Sequence, residues 1–398
     1  MNSHLGDLIT WLLVWTIPVF LLLGSGLVKV FEAKRRHFRE EPKIPLPPIE
    51  ILVPLKGIFK DQQQILFSLL EQRYNSYHVV FILESLDDPA NYVVDNLCRQ
   101  YSHARKVISG TSTLCAQKNH NLVEGVRQLR PKTEIIVFCD STNVAPQDWL
   151  MQFTEPLRKR SVEVRTTFRA FDPEPQTLAG VCQAIYGTLI LLITTIVPKP
   201  WGGATAIRRM TFDKLDVVET WSKTVVDDLV LGNLLQRAGI KVAMDPCNIL
   251  KSPLKNQTTK GFLNYLDRQI MFPKFTNPLI WAMLMILYLN LTLAVTVTVL
   301  SGSMSLFGLV SREIGLMSVA FLLALFVLAV MVWRIAAPHI SLKRWLPAIL
   351  PMIFLGAFIF IRSIFRNYID WHGRTYWCGK GGTVLFVESS SNNSRKTG

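Results

Sequence analysis

Four stretches of this chain are apolar for roughly the thickness of a bilayer, and they lie only at its two ends. Leu8 to Val30 comes first, and Leu279 to Leu300, Gly315 to Trp333 and Trp345 to Phe365 follow a long middle of ordinary composition. Crossing a hydrocarbon core of about 30 Å takes about 20 apolar residues in a helix. The chain is therefore expected to be one globular domain between membrane segments. Almost no charge precedes Leu8 to Val30, whereas Lys29, Lys34, Arg35, Arg36 and Arg39 sit at its end or follow it. A cleaved signal peptide carries its positive charge first, so this run reads as an uncleaved anchor with its C-terminal side in the cytosol. Pro42 to Pro48, with four prolines in seven residues, reads as a stiff linker.

The three C-terminal runs pose a parity problem. If all cross, the basic tail from Arg366 through Lys380 ends outside, against the positive-inside bias. Pro347 and Pro351 interrupt the third run, so two full crossings and a re-entrant or interfacial third segment are expected, returning the tail to the cytosol. Val181 to Val197, bounded by Pro198 and Pro200, is expected to lie in the interface. Glu388 to Gly398 is rich in Ser and Asn and is expected to be disordered.

From Ile49 the pattern becomes short apolar runs alternating with helical patches. Ile49 to Leu55, His78 to Glu84, Lys106 to Ile108 and Glu134 to Cys139 read as strands; Gln62 to Leu70, Pro89 to Tyr101 and Gln117 to Gln128 read as helices. This order predicts βαβ units in a mostly parallel sheet, with ligands beyond the carboxyl ends of the strands. Neither a G-x-G-x-x-G after the first strand nor a G-x-x-x-x-G-K-[ST] occurs, which argues against dinucleotide enzymes and P-loop NTPases. The net charge of +14 suits an anionic membrane surface and a phosphate-bearing substrate, and no nucleic-acid partner is expected. Six scattered cysteines without a C-x-x-C pair indicate neither a zinc site nor a disulfide framework.

Polar segments break this pattern where strands should end or helices begin. Glu84-Ser85-Leu86-Asp87-Asp88-Pro89 would by itself be a turn and N-cap. Asp140-Ser141-Thr142-Asn143 follows a buried-strand signature. It reads equally as an Asx-turn or as a carboxylate holding Mg²⁺ or Mn²⁺ on a diphosphate. Gln117-Lys118-Asn119-His120-Asn121 opens a helix with a cation and amides that could face a phosphate or a base. Gly202-Gly203 allows close backbone approach to a ligand ahead of an apparent buried strand. Asp227-Asp228, taken alone, is best read as a helix cap.

Together these segments resemble the ordered acidic motifs of membrane-bound inverting glycosyltransferases. Asp88 in Asp-Asp-Pro-Ala, Asp140 in Cys-Asp-Ser, Gly202-Gly203 with Ile207-Arg208-Arg209, and Asp227-Asp228 carry the likeness. Pro54-Leu55-Lys56-Gly57 and Trp371-His372-Gly373-Arg374-Thr375-Tyr376 also fit. The chain resembles the ceramide glucosyltransferases of glycosyltransferase family 21, related to family 2, from about Ile49 to Phe386. The resemblance implies a GT-A-type α/β domain at 49–275, after an anchor at 1–31 and a basic, proline-rich linker at 32–48. Transmembrane and interfacial helices would occupy 276–370 and a cytosolic tail 371–398. It implies Asp228 as catalytic base and Asp140 as the metal-associated acid. Glu84, Asp88, Lys118, Gly203 and Arg268 would join Asp140 around the nucleotide sugar.

One departure stands out. The family ends this domain with Gln- or Arg-x-x-Arg-Trp, whereas the chain reads Arg268-Gln269-Ile270-Met271-Phe272. Lys274, a turn later, is the expected source of the missing charge. The resemblance implies a multi-pass protein transferring a sugar from UDP-glucose or UDP-N-acetylglucosamine to a lipid hydroxyl at the cytosolic face. Ceramide, diacylglycerol and a hopanoid polyol are the candidate acceptors. A polysaccharide synthase fits less well, because few apolar spans remain to line a channel. An inactive membrane scaffold would have to explain the retained acids at 88, 140 and 228.

Overall fold

The computed structural model describes residues 2–35 and 46–389. Residues 36–45 of the linker expected at 32–48, and 390–398 of the segment Glu388 to Gly398 expected to be disordered, lie outside the described residues, whereas Glu388 and Ser389 belong to a strand.

The middle of the chain is built on a seven-stranded sheet. Its strands are β1 (Ile49–Pro54), β2 (Tyr77–Leu83), β3 (Ala104–Ile108), β4 (Ile135–Cys139), β5 (Val164–Thr166), β7 (Ala204–Arg208) and β8 (Val242–Met244). The order is β3-β2-β1-β4-β7-β5-β8, and all pairings are parallel except those of β7 with β4 and β5. A second, two-stranded sheet pairs β6 (Arg169–Glu174) with β9 (Leu250–Lys255). The α/β, mostly parallel expectation is therefore met.

Side-chain alternation explains why these apolar runs are strands. Ile51, Val53, Val79, Phe81 and Val137 face one core with the helices Gln62–Leu70, Asn91–Gln100 and Trp149–Arg158. Their neighbours Leu52, Val80, Ile82, Ile136 and Phe138 face the other, with Gln117–Arg127 and Asp228–Arg237. Period-two burial on both faces leaves no room for water beside the central strands. Polar chemistry is confined to the strand ends.

Among the described residues, five helices are long and apolar enough to cross a bilayer: His4–Arg35, Leu178–Ile196, Pro278–Leu306, Arg312–Ala336 and Leu342–Ile364. The 29 residues of Pro278–Leu306 extend about 43 Å at 1.5 Å per residue, more than a hydrocarbon core needs. Leu178–Ile196, expected at the interface, is mostly buried and packs on the N-terminal helix. A Cβ on Gly26 would lie 2.6 Å from the Leu192 carbonyl oxygen, so glycine sets that close approach.

The third C-terminal run is one continuous helix despite Pro347 and Pro351. Both its ends meet elements outside the membrane-length helices of the C-terminal region. At its start the Ser341 N–H donates to Gln176 Oε1 at 2.9 Å; at its end Lys274 Nζ donates to the Ser363 carbonyl at 2.7 Å. The helix is itself long and apolar enough to cross a bilayer, and its two ends are tied to Gln176 and Lys274.

The segment expected as a tail from 371 is folded in its described part. Three antiparallel strands, β10 (Tyr368–Trp371), β11 (Arg374–Cys378) and β12 (Val384–Ser389), lie back on the α/β domain. Val225 N–H donates to the Gly382 carbonyl at 2.9 Å and Val384 N–H to that of Lys223 at 2.8 Å. The two-residue turn between β10 and β11 places His372 and Gly373 at φ of 49° and 75°, as a tight antiparallel turn requires.

Candidate active site

Asp140 leaves the end of β4 and is fixed by the glycine pair that precedes β7. Its N–H donates to the Gly203 carbonyl at 3.1 Å, which also accepts from Asn143 Nδ2 at 2.8 Å. Its carboxylate lies 3.0 Å from Lys118 Nζ and 3.7 Å from the Arg169 guanidinium. A Cβ at Gly203 would lie 2.1 Å from the Trp201 ring, and one at Gly202 would lie 2.2 Å from Asp227 Oδ2. These two positions exclude any side chain because an aromatic ring and an acid already fill the space.

The acid pair opens the helix Asp228–Arg237. Capping was the expected role of Asp227, but its side chain makes no cap hydrogen bond and instead lies 3.2 Å from Lys118 Nζ. The carboxylate of Asp228 accepts from the N–H of Gly202 at 3.0 Å and from its neighbour Leu229 at 2.7 Å. Burial, reinforced by the charge of Asp227, raises Asp228 from 3.8 to about 6, while Lys118 and the two N–H donors pull it back. A carboxyl titrating there is ionised at neutral pH yet basic enough to accept a proton.

Lys118 is the centre of this cluster. Burial alone would lower its pKa, but Asp140, Asp227 and Asp228 outweigh that and hold it above the ordinary lysine value. Its neighbours do not face a ligand as expected. Gln117 bonds to Ser112, Gly110 and Asn121, Asn119 to Thr224, and Asn121 to the Ile82 carbonyl. The amides anchor the helix, which aims the ammonium.

Asp88 and Glu84 stand after β2. The Asp88 carboxylate accepts from Gly57 N–H at 2.9 Å and Ala90 N–H at 2.9 Å, joining the loop after β1 to the start of the next helix. Glu84 pairs with Lys56 at 3.4 Å and with Arg374 from β11, which also donates to Gln117. Burial would raise Glu84, but Arg374 and Lys56 hold it below the usual carboxylate value.

Arg268, on the helix Thr259–Thr276, lies over the rings of Trp371 at 5.2 Å and Tyr265 at 6.0 Å. His372 sits nearby; burial, Arg268 and Lys56 lower it to about 4, so it is neutral. Met271 and Phe272 point into the core, where Phe272 meets Trp371 edge-on. Lys274 does not replace the missing arginine. Its ammonium is taken up by the carbonyls of Ser363, Ile364 and Arg366 at the end of Leu342–Ile364. Cations favour helix C-termini, where carbonyls lack partners. Arg169 and Arg374 went unread in the sequence as site residues, since β6 and β11 reach the strand ends only through tertiary packing. The one local signal for Arg169 is its place between Phe168 and Phe171.

No group of three His, Cys, Asp or Glu side chains able to hold a metal is present among the described residues. Asp140, a carboxylate about a quarter exposed at the end of β4, is the donor expected from the sequence. That set fits a Mg²⁺ or Mn²⁺ drawing its other ligands from a diphosphate and water, rather than an ion in a protein cage.

A mostly parallel sheet with acids at the ends of its strands, joined to apolar helices, defines a GT-A-type glycosyltransferase of the membrane. A mannosyltransferase from Pyrobaculum calidifontis, solved with GDP-Man and Mn2+, shares the fold at a TM-score of 0.54 and 15% identity, covering 90% of this chain and 99% of that one. The chain belongs to glycosyl transferase family 21, whose description matches residues 16–384. Ceramide glucosyltransferase 1 of Caenorhabditis elegans is 22% identical over 378 residues, 91% of this chain and 77% of that protein. A ceramide glucosyltransferase of Komagataella phaffii is 28% identical over 105 residues, 25% of this chain and only 20% of that protein.

Proposed function

We propose that this glycosyltransferase moves a sugar, with inversion, from a UDP-sugar to the hydroxyl of a membrane lipid at the cytosolic face. Glucose and ceramide are the foremost donor sugar and acceptor, given the relatives' names. The observation that carries the reading is the Asp228 carboxylate, oriented by Gly202 and Leu229 N–H groups and raised to about 6 beside Lys118 and Asp140.

In this reading Asp228 accepts the proton of the acceptor hydroxyl as its oxygen attacks the anomeric carbon. The bond to the diphosphate breaks on the opposite face, which inverts the configuration. Asp140 would hold Mg²⁺ or Mn²⁺, whose chemistry is to neutralise charge on the leaving diphosphate. Lys118 keeps three carboxylates together in one buried site and holds Asp228 ionised. Asp88 secures the loop around Gly57, and Glu84 orients Arg374. Gly203 fixes the position of Asp140, and Arg268 offers a cation without an ion-paired carboxylate among the described residues. The apolar helices would bring the lipid acceptor to the strand ends, and the basic segment after the anchor would favour an anionic cytosolic surface.

The test is UDP release from UDP-glucose by the purified full-length protein with a lipid extract, in Mn²⁺, Mg²⁺ or EDTA. Asp228→Asn is expected to lower turnover at least a thousandfold while UDP still binds. Wild-type turnover in that variant would refute the base, and full turnover in EDTA would refute the metal.

A further inference from the structure

We infer that Arg169 and Arg268 together form a phosphoryl-binding site beside Asp140, with Arg169 supplying the guanidinium that position 271 lacks. The inference rests on the nucleotide-sugar reading above and adds the residues that would grip the diphosphate.

Among the cations around the strand ends, Lys56, Lys118 and Arg374 are each paired with Glu84 or Asp140. Arg169 reaches Asp140 only at 3.7 Å, and Arg268 has no carboxylate within ion-pair distance among the described residues. The Arg169 guanidinium lies against the rings of Phe171 at 4.5 Å and Trp201 at 5.1 Å. Its side chain is 14% exposed, its contact with Asp140 is a long 3.7 Å, and its buried Nε has no hydrogen-bond partner among the described residues. Arg268 makes only its two ring contacts, with no hydrogen bond or ion pair among the described residues. Phe171 and Tyr265 meet edge to face at 5.8 Å, so the two guanidiniums flank one aromatic pair.

Burial lowers Arg268 to about 10, and the charge of Arg169 adds to that pull, so Arg268 remains a cation at neutral pH. Two partly buried guanidiniums near one carboxylate, itself 3.7 Å from Arg169, leave charge that aromatic faces offset only in part. A guanidinium fork matches two phosphoryl oxygens at once, and a ring stacked on its face leaves that edge free. Met271 is buried in the core and faces no ligand. The replacement therefore comes from β6, about a hundred residues earlier.

A phosphoryl group could arrive on the nucleotide donor or on a lipid, and titration calorimetry of the full-length protein separates the two. The probes are UDP, uridine and dodecyl phosphate, titrated into wild type, Arg169→Ala and Arg169→Lys. Arg169→Ala is expected to weaken UDP at least tenfold and uridine less than twofold, with Arg169→Lys intermediate because it keeps the charge without the fork. Added methylguanidinium is expected to recover part of the UDP affinity, which a collapsed fold would not allow. If Arg169→Ala does not fold, Arg169→Lys alone decides, with a threefold loss as the threshold. Weakened dodecyl phosphate with unchanged UDP assigns the site to a lipid phosphate. Both affinities within twofold of wild type overturn the inference. A wild type that binds no UDP refutes instead the nucleotide-sugar reading.

Discussion

Replacing Lys118 by Met removes the one cation that sits among three acids while keeping most of its volume. The ammonium lies 3.0 Å from Asp140 and 3.2 Å from Asp227, and it also donates to the Gly202 carbonyl at 3.2 Å. Breaking a buried pair from one side costs about 3–5 kcal/mol, because the remaining charge has no partner. Lys118 is also a force lowering Asp228, so its loss moves that carboxyl above about 6. A unit charge at 4 Å contributes about 4 kcal/mol at an effective dielectric of 20, and 1.36 kcal/mol already moves a titration by one pH unit. The acid limb of the pH–rate profile is expected to move up by at least one unit. At pH 7 the ionised fraction of Asp228 would fall from about nine-tenths to about half, and activity would partly return at pH 8. Stability follows the same sign. A carboxyl whose folded pKa lies above its unfolded value destabilises the fold increasingly as pH rises from 3.8 through the folded value. The variant's deficit should be smallest below about pH 4 and largest above pH 7. UDP release across pH 5 to 9 and thermal unfolding in detergent at pH 5 and 8 measure both effects. A uniform loss of rate, with the limb unmoved and the deficit independent of pH, would refute the coupling of Lys118 to Asp228.

Two further substitutions probe the departures from the family pattern and the glycine turn. Met271→Arg, which restores the family residue, should destabilise the protein by several kcal/mol without raising turnover, because position 271 is fully buried in the core. A gain in UDP affinity at unchanged unfolding temperature would contradict that placement. Gly202→Ala would force a Cβ to 2.2 Å from Asp227 Oδ2 and 2.9 Å from Lys118 Nζ. Its kcat should fall at least a hundredfold with a smaller change in unfolding temperature, and near-normal kinetics would show that the turn can yield.

The sequence determined the parts of this protein that depend on local physics. Period-two burial in Ile49 to Pro54 and its partners fixed the parallel sheet, and the length of the apolar runs fixed the membrane helices. Asp140 after β4, Gly202-Gly203 ahead of β7 and Asp227-Asp228 at a helix start stood out in the sequence only as an ordered set, because each alone also reads as a turn or a cap. Charge pairing was not legible, since a cation's partner is chosen by distance in space. Lys274 had the expected charge a turn from position 271, yet it serves the carbonyls that end Leu342–Ile364. Arg374 lies in a segment that reads as a tail, and only the folding back of β10 to β12 brings it to Glu84. Arg169 meets Asp140 because β6 pairs with β9 beside the main sheet. Which two of several acids and arginines share one buried volume is decided by tertiary packing, because burial turns proximity into energy.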